Sequence, residues 1–364
     1  MPKKNNNLLI AASGTGGHIF PALAVANQID KNWNISWLGI RKRCEIQLVP
    51  AKYNLITLGI ETPRQKNILL LAQYLRIILS SITIIKIIKE RKINLVFTTG
   101  GYISAPTIIA ARLLQIPVII HESNVIPGTV TKYFGRFCNF VLTGFKETLI
   151  YLRSCKTIHT GTPLRDEFYK DNSLPSWVPK GNSPLLLVMG GSQGAQGINT
   201  IIQDSIEFLL DNNVRIVHIL GDNDFFICKH KNSTNYYQIP FTHEIAGLIQ
   251  NCDLVISRSG AGCINELIHF RKPSILIPYP YSKNNHQEKN AMILASIGSS
   301  IMIKQNEQSK LFLLDCLKRI FNTQAVDSNK YEILELMHKN ISNISANNPL
   351  ADIKKIFDQF SREF

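Results

Sequence analysis

Acidic residues are scarce in one half of this chain. Residues 1–164 hold 20 Lys and Arg against 6 Asp and Glu, whereas the remaining 200 hold 20 of each, so the formal charge of +14 lies wholly in the first half. A uniform excess would reflect composition or solubility; this asymmetry predicts one domain that faces an anionic surface. Cysteine is sparse too. The seven present (44, 138, 155, 228, 252, 263, 316) form no Cys-x-x-Cys pair and no zinc spacing. They stand mostly in apolar runs or at helix starts, as small hydrophobes in a reducing compartment do. The most apolar helical stretch, Ile68 to Glu90, is interrupted by Arg76 and Lys86 and falls short of the ~18–20 residues of a membrane span. Met1 to Asn7 is polar and basic and leads straight into a strand, so no signal peptide is read there. No repeat of 20–50 residues and no low-complexity segment is present. What remains is a globular chain of 364 residues, 45% hydrophobic, long enough for two or three domains with substantial cores.

What is abundant is one local pattern: a short apolar run, a polar or glycine-rich turn, then a helical run. Asn7–Ala12 is followed by Ser13-Gly14-Thr15-Gly16-Gly17-His18 and a helix expected over Ile19–Ile29, with Pro21 in its first turn. Leu95–Thr98 ends in Thr99-Gly100-Gly101-Tyr102; Pro117–His121 ends in Glu122-Ser123-Asn124, then Pro127-Gly128 and a helix from Thr129. In a parallel sheet all these turns lie on the carboxyl edge, where such folds bind ligands, so Gly14–His18, Gly100–Tyr102 and Glu122–Asn124 are expected to converge. His18 and Glu122 are the side chains there with acid–base capacity, and the sequence leaves open which of them takes a proton.

The pattern then starts again. After a polar, Pro-rich stretch (174–184) read as a linker or surface crossing, Leu185–Met189 leads to Gly190-Gly191-Ser192-Gln193-Gly194-Ala195 and a helix from Gln196. Further on, Asp253–Ile256 leads to Ser257-Arg258-Ser259-Gly260-Ala261-Gly262-Cys263-Ile264-Asn265-Glu266. Small residues let the backbone approach a ligand, and bare N–H groups at a helix start suit a diphosphate. Glu266, about one turn into its helix, suits the vicinal hydroxyls of a ribose. Ser274–Ile277 leads to Pro278-Tyr279-Pro280 and to a helix start at His286-Gln287, where Gln287 suits sugar hydroxyls. Neither G-x-G-x-x-G nor the Gly-Lys-Ser/Thr end of a phosphate loop is present in these turns, which argues against nicotinamide dehydrogenases and P-loop enzymes. Asp and Glu are scarce in the turns, so a leaving diphosphate would be held by N–H groups, helix dipoles and Arg, without a metal or other cofactor. The basic half lacks aromatic interleaving or a reading helix, so no nucleic-acid partner is expected.

In Ile68–Glu90, Gln73, Arg76, Ser80, Thr83 and Lys86 recur at steps of three or four, and Lys86, Lys89, Arg91 and Lys92 cluster at its end. Two readings stay open: an apolar face buried on the sheet, or one that dips into a membrane while the cations meet anionic head groups.

Six ordered motifs over nearly the whole chain carry a resemblance: 14–24, 99–102, 121–124 with Pro127-Gly128, 161–165, 190–195, and 257–261 with Glu266. Together they resemble the MurG family of bacterial peptidoglycan glycosyltransferases. The resemblance implies a GT-B fold, α/β throughout, with two Rossmann-like domains whose parallel sheets face a deep cleft. It implies an acceptor and membrane-facing domain at 1–164, a UDP-N-acetylglucosamine-binding domain at 165–344, and a final helix, about 345–364, packing back on the first. The implied reaction is inverting transfer of N-acetylglucosamine to the 4-hydroxyl of lipid I, giving lipid II, by a peripheral protein on the cytoplasmic face of the bacterial inner membrane. Matched by motif, Glu266 would hold the ribose, the backbone at Thr242 the uracil, Ser192 the diphosphate and Gln287 the amino-sugar hydroxyls. Thr15, Gly16, Gly17, Asn124 and Arg165 match the remaining donor positions, and His18 the usual base, with Glu122 as the other candidate. Ser123 departs from the family's usual Gln and Ala105 from its common Gly. A related UDP-sugar epimerase is the nearest rival, separable because it turns over donor without acceptor.

Overall fold

The computed structural model describes residues 6–29, 31–41, 45–59, 70–190, 196–221, 233–321, 331–344 and 348–363. It divides into two compact units, 1–165 with 347–364, and 166–346.

In the first unit, strands β1 (Asn7–Ala11), β2 (Asn34–Ile40), β3 (Asn54–Leu58), β4 (Leu95–Thr98), β5 (Val118–Glu122), β6 (Phe140–Thr143) and β7 (Thr157–His159) form one sheet. Its order is β3-β2-β1-β4-β5-β6-β7, with every pair parallel. The second unit contains β8 (Leu185–Met189), β9 (Arg215–Ile219), β10 (Tyr236–Ile239), β11 (Leu254–Ser257), β12 (Ser274–Leu276) and β13 (Ser300–Met302). These run β10-β9-β8-β11-β12-β13, again all parallel. Both orders reverse direction beside their first strand. That reversal opens a crevice at the carboxyl ends of β1 and β4 in one unit and of β8 and β11 in the other.

Parallel strands are covered on both faces, which is why they read as continuous apolar runs. Alternate residues of β1 enter different cores, Leu8 and Ile10 on one face, Leu9 and Ala11 on the other. The first of these cores is completed by the helix Pro349–Glu363, through Leu350, Ile353, Ile356, Phe357 and Phe360. Phe357 sets its ring edge-on to Trp33 at 6.0 Å and to Phe97 at 5.6 Å.

In the second unit a buried polar chain ties the helix Gln196–Ile202 to the sheet. His218 Nε2 meets Asn199 Oδ1 at 2.9 Å, its Nδ1 meets the Tyr236 hydroxyl at 2.9 Å, and Asn199 Nδ2 donates to Leu220 O at 3.1 Å. The Asn199 amide nitrogen is committed to a carbonyl, so its oxygen must accept from His218 Nε2–H. Burial pulls the His218 pKa down to about 4 and keeps the ring neutral.

Two local expectations change, and a third narrows to one of its alternatives. The first helix begins at Gly16, three residues early, because Thr15 O already accepts from His18 N–H (3.0 Å) and Ile19 N–H (3.2 Å). Pro21 therefore stands in the second turn, where it leaves the Gly17 carbonyl without its helical donor. Glu122 is the last residue of β5 and not part of the loop after it. The stretch 174–184 is a surface crossing docked on the second unit: Pro175, Val178 and Pro179 are buried, and Arg215 donates to Pro179 O (2.9 Å) and Ser183 O (2.8 Å).

The helix Leu70–Glu90 buries Ser81, Ile84 and Ile88, whereas Ile78, Leu79 and Ile82 are 55%, 62% and 58% exposed. Its side chains are described from Arg76 onward, so Gln73 lies outside the described side chains. No helix among the described residues is long and apolar enough to cross a membrane.

Candidate active site

The crevice of the first unit is built by the turns after β1, β4 and β5. Gly100 (φ 85°) and Gly101 (φ 81°) turn the chain left-handed after β4, a conformation that costs any residue with a Cβ. This lets the Thr99–Gly101 backbone close over the His18 ring: a Cβ at Gly100 would stand 3.6 Å from Cε1 of His18. His18 Nδ1 lies 2.6 Å from Thr99 O, and Thr99 Oγ1 donates back to His18 O at 2.8 Å. A carbonyl oxygen only accepts. In the neutral ring Nδ1 therefore carries the hydrogen and Nε2 is left as the proton acceptor. Thr15 and Gly17 are exposed beside this ring, at the start of the same helix, and Gly16 is buried. The first-turn N–H groups of a helix have no intrahelical partner and suit an anion.

Glu122 is 4% exposed. Its Oε1 accepts from Asn124 N–H (3.1 Å) and Asn124 Nδ2 (3.2 Å); its Oε2 accepts from Gly128 N–H (2.9 Å) and the Thr131 hydroxyl (2.7 Å). Four donors on two oxygens hold the loop after β5 and the start of the helix Thr129–Phe134. The loop is fixed from its other side by Thr148 Oγ1 on Asn124 O at 3.0 Å. A Cβ at Gly100 would also lie 3.7 Å from Thr131 Oγ1, so His18, Gly100, Thr131, Glu122 and Asn124 are successive neighbours, as their places at the strand ends predict. His121 is fully buried, with Nε2 3.0 Å from Gly161 O; burial, above all, lowers its pKa. It ties the end of β5 to the turn that leads to Arg165, whose guanidinium carbon sits 4.8 Å from the centre of the Phe20 ring.

The crevice of the second unit is built by the turns after β8, β11 and β12. Residues 191–195 lie outside the described set, and Ser192 with them. So does Asp222-Asn223-Asp224, an Asp-x-Asp run after β9 that corrects the expectation of no Asp-x-Asp and of scarce acids in these turns. The turn after β11 ends at Gly260 (φ −62°, ψ 146°), the N-cap of the helix Ala261–His269, and Glu266 stands half-buried in the second turn of that helix. Cys263 faces inward against Ser257 Oγ at 3.2 Å; burial pushes its thiol up to about 12, an inert side chain. Thr242 Oγ1 accepts from Glu244 N–H at 3.0 Å, which orders the turn before the helix Ile245–Asn251. Gln287 opens the helix His286–Ala295, and its Oε1 accepts from Tyr279 N–H at 2.9 Å.

The structure thus groups Thr15, Gly16, Gly17, His18, Glu122 and Asn124 on one carboxyl edge, with Arg165 against Phe20 of the first helix. It places Thr242, Glu266 and Gln287 on elements at the carboxyl edge of the other sheet. Two participants are not picked out by sequence. Thr99 orients His18 from within the glycine-rich turn after β4, and Thr131, nine residues from its carboxylate, gives no signal.

Residues 8–143 match the glycosyltransferase family 28 N-terminal domain and residues 185–344 its C-terminal domain. A protein of Prochlorococcus marinus (strain AS9601) is 63% identical over 362 residues, 99% of either chain. One of strain NATL2A is 44% identical over 354 residues, 96% of this chain and 97% of that one. Both bear the name UDP-N-acetylglucosamine--N-acetylmuramyl-(pentapeptide) pyrophosphoryl-undecaprenol N-acetylglucosamine transferase. Among solved structures, Acinetobacter baumannii MurG superimposes with a TM-score of 0.76 at 23% identity, over 98% of this chain and 100% of that one. The kitacinnamycin glycosyltransferase superimposes at 0.71 with 12% identity, over the same shares. With two parallel α/β sheets of that shape and relatives alike from end to end, the chain has the GT-B fold and belongs to glycosyltransferase family 28, in the family of those N-acetylglucosamine transferases.

Proposed function

We propose that this chain transfers N-acetylglucosamine from UDP-N-acetylglucosamine to the 4-hydroxyl of the N-acetylmuramyl unit of lipid I, with inversion, giving lipid II for peptidoglycan. The observation that carries this reading is end-to-end identity of 63% to a transferase of that name. The two crevices support it in different ways, and so divide the work between the units: acceptor chemistry in 1–164 with the final helix, donor binding in 165–344.

His18 is the base. Its Nδ1–H is held by Thr99 O, so Nε2 faces the reaction as an acceptor for the 4-hydroxyl proton. A base in this state contributes about 10²–10⁴ in rate. Glu122, the other candidate, is engaged by four donors, which suits it to holding Asn124 and the Gly128 turn in place and not to cycling a proton. As the anomeric bond breaks, charge moves onto the diphosphate. In the second unit Ser192 and the N-terminus of the helix Gln196–Ile202 suit that charge, and in the first unit Arg165 and the first-turn N–H groups near Thr15, Gly16 and Gly17 suit an anion. Glu266 binds the ribose hydroxyls, the backbone at Thr242 the uracil and Gln287 the amino-sugar hydroxyls, while Asn124 is a donor position carried by the first unit.

The same reading places the protein peripherally on the cytoplasmic face of the plasma membrane. Ile78, Leu79 and Ile82 stand exposed on a helix with Lys86 and Lys89 near its end and Arg91 and Lys92 in the turn that follows. On that helix Ser80 and Thr83 turn their hydroxyls back onto the carbonyls four residues earlier, at 2.6 and 3.2 Å. Self-satisfied hydroxyls lower the cost of an apolar surrounding, and the cations suit anionic head groups. A nucleic acid is not among the proposed partners.

Incubation with UDP-N-acetylglucosamine and a lipid I analogue, in EDTA, should add one N-acetylhexosamine to the acceptor by mass spectrometry. Consumption of the donor without acceptor, or no gain on the acceptor, would overturn the reading.

A further inference from the structure

Arg258 follows β11 directly, is 9% exposed and belongs to no ion pair among the described residues. A cation buried in this way ordinarily needs a carboxylate or several carbonyl oxygens. Arg258 has the carbonyls: Nη1 donates to Ile277 O at 3.0 Å and to Pro278 O at 3.2 Å, and the guanidinium carbon lies 5.5 Å from the Tyr279 ring centre. Burial draws its pKa down to about 10, so it stays charged at neutral pH. Its other arm fills the space over the first turn of the helix Gln196–Ile202. A Cβ on Gly197 would come within 2.9 Å of Nη2, and within 2.6 Å of Gln305 Nε2 beside it.

The loop that Arg258 grips leads to Gln287. Tyr279 N–H can only donate, so the Gln287 atom 2.9 Å away must be the amide oxygen, and Nε2 is the group left to donate to a ligand. The circuit closes back on the residue after Arg258. Ser259 Oγ donates to Gln287 O at 2.8 Å, and Asn290 Nδ2 donates to Ser259 O at 3.2 Å.

We infer that Arg258 is a positioning residue for the sugar end of the donor: it locks the 277–279 loop and, through Tyr279 N–H, fixes the Gln287 amide with Nε2 offered to a sugar oxygen. This rests on the donor proposed above, and it separates two kinds of recognition in one unit. In that reading Glu266 takes the ribose of the nucleotide. Discrimination among sugars passes through the arginine.

The test compares wild type, Arg258→Lys and Arg258→Met, using full-length protein. UDP affinity is measured by calorimetry; kcat and KM are measured with UDP-N-acetylglucosamine and with its 4-epimer, UDP-N-acetylgalactosamine, on a lipid I analogue. Arg258→Met should raise KM for UDP-N-acetylglucosamine about tenfold, the loss of one ligand hydrogen bond. It should also reduce the preference over the epimer, while UDP affinity stays within about twofold. Arg258→Lys, which keeps the charge but reaches one carbonyl at a time, should fall between. An unchanged KM and preference in Arg258→Met would overturn the inference. So would equal losses of UDP and UDP-sugar affinity in both variants, which would mark Arg258 as a general support of the fold. If the wild type itself transfers nothing, the proposed reaction is what has failed.

Discussion

At the switch point of the first sheet a histidine ring stands against the next turn with one nitrogen fixed and the other open. At that of the second, a buried arginine commits its Nη1 to two carbonyl oxygens. The winding is the same in both units, and so is the placement of glycine-rich turns after the first strand and beside the fourth. The difference lies in the turns after β4 and β11. One turn offers a carbonyl that sets a tautomer, the other a permanent cation that sets a loop. A shared topology thus supplies two crevices, and on the proposed reading single residues at the strand ends decide whether a crevice moves protons or holds still.

That division can be broken at several points. The largest effect is expected for His18→Ala, which should lower kcat by about 10²–10⁴ and leave UDP affinity within about twofold, measured by steady-state kinetics and calorimetry. Equal losses of turnover and UDP binding would make the first crevice a nucleotide site like the second. Glu266→Ala should do the reverse, weakening UDP binding about 10- to 100-fold through lost hydrogen bonds to a diol, with a smaller change in kcat.

Glu122→Gln sharpens the comparison within the first unit. It removes a buried charged acceptor from four donors and should cost about 1–3 kcal/mol of stability by denaturant titration. Turnover should fall less than in His18→Ala; a loss as large, with the acid limb of the pH profile gone, would make Glu122 the base. On vesicles containing anionic lipid, Ile82→Ser should weaken sedimentation roughly threefold to tenfold, since one buried aliphatic side chain is worth about 1.5–3 kcal/mol and full insertion is not needed.

The effect that is smallest at neutral pH concerns stability in acid. The neutral His218 has a pKa of about 4 when folded and an ordinary value when unfolded, so the unfolded state binds more protons between about pH 6.5 and 4. Stability should therefore be lost as pH falls through that window, by up to about 3 kcal/mol, and His218→Gln should flatten the slope. His121, also depressed mainly by burial, acts in the same direction from the first unit.

The architecture was legible because buried parallel strands leave unbroken apolar runs, and glycines punctuate their carboxyl ends. What escaped did so for physical reasons. Two glycines ahead of Ile19 read as a turn, because glycine is a poor helix former, yet the first helical turn tolerates it. Thr131 and Thr99 act through contacts that periodicity does not encode. Arg258 reaches carbonyls 19 and 20 residues away, a pairing that exists only once β11 and β12 lie side by side. The helix Leu70–Glu90 has apolar residues on more than one side, and spacing alone could not say that Ile84 and Ile88 face the sheet while Ile78, Leu79 and Ile82 face outward.

The helix Pro349–Glu363 has a consequence for synthesis. A ribosome releases all of 166–346 before the segment that finishes the core around Leu8, Ile10 and Phe97 is made. During translation the earlier-made unit waits with an apolar groove uncovered, a state prone to wrong association. A nascent chain halted after residue 346 should accordingly recruit holdase chaperones more strongly than one that includes the helix Pro349–Glu363.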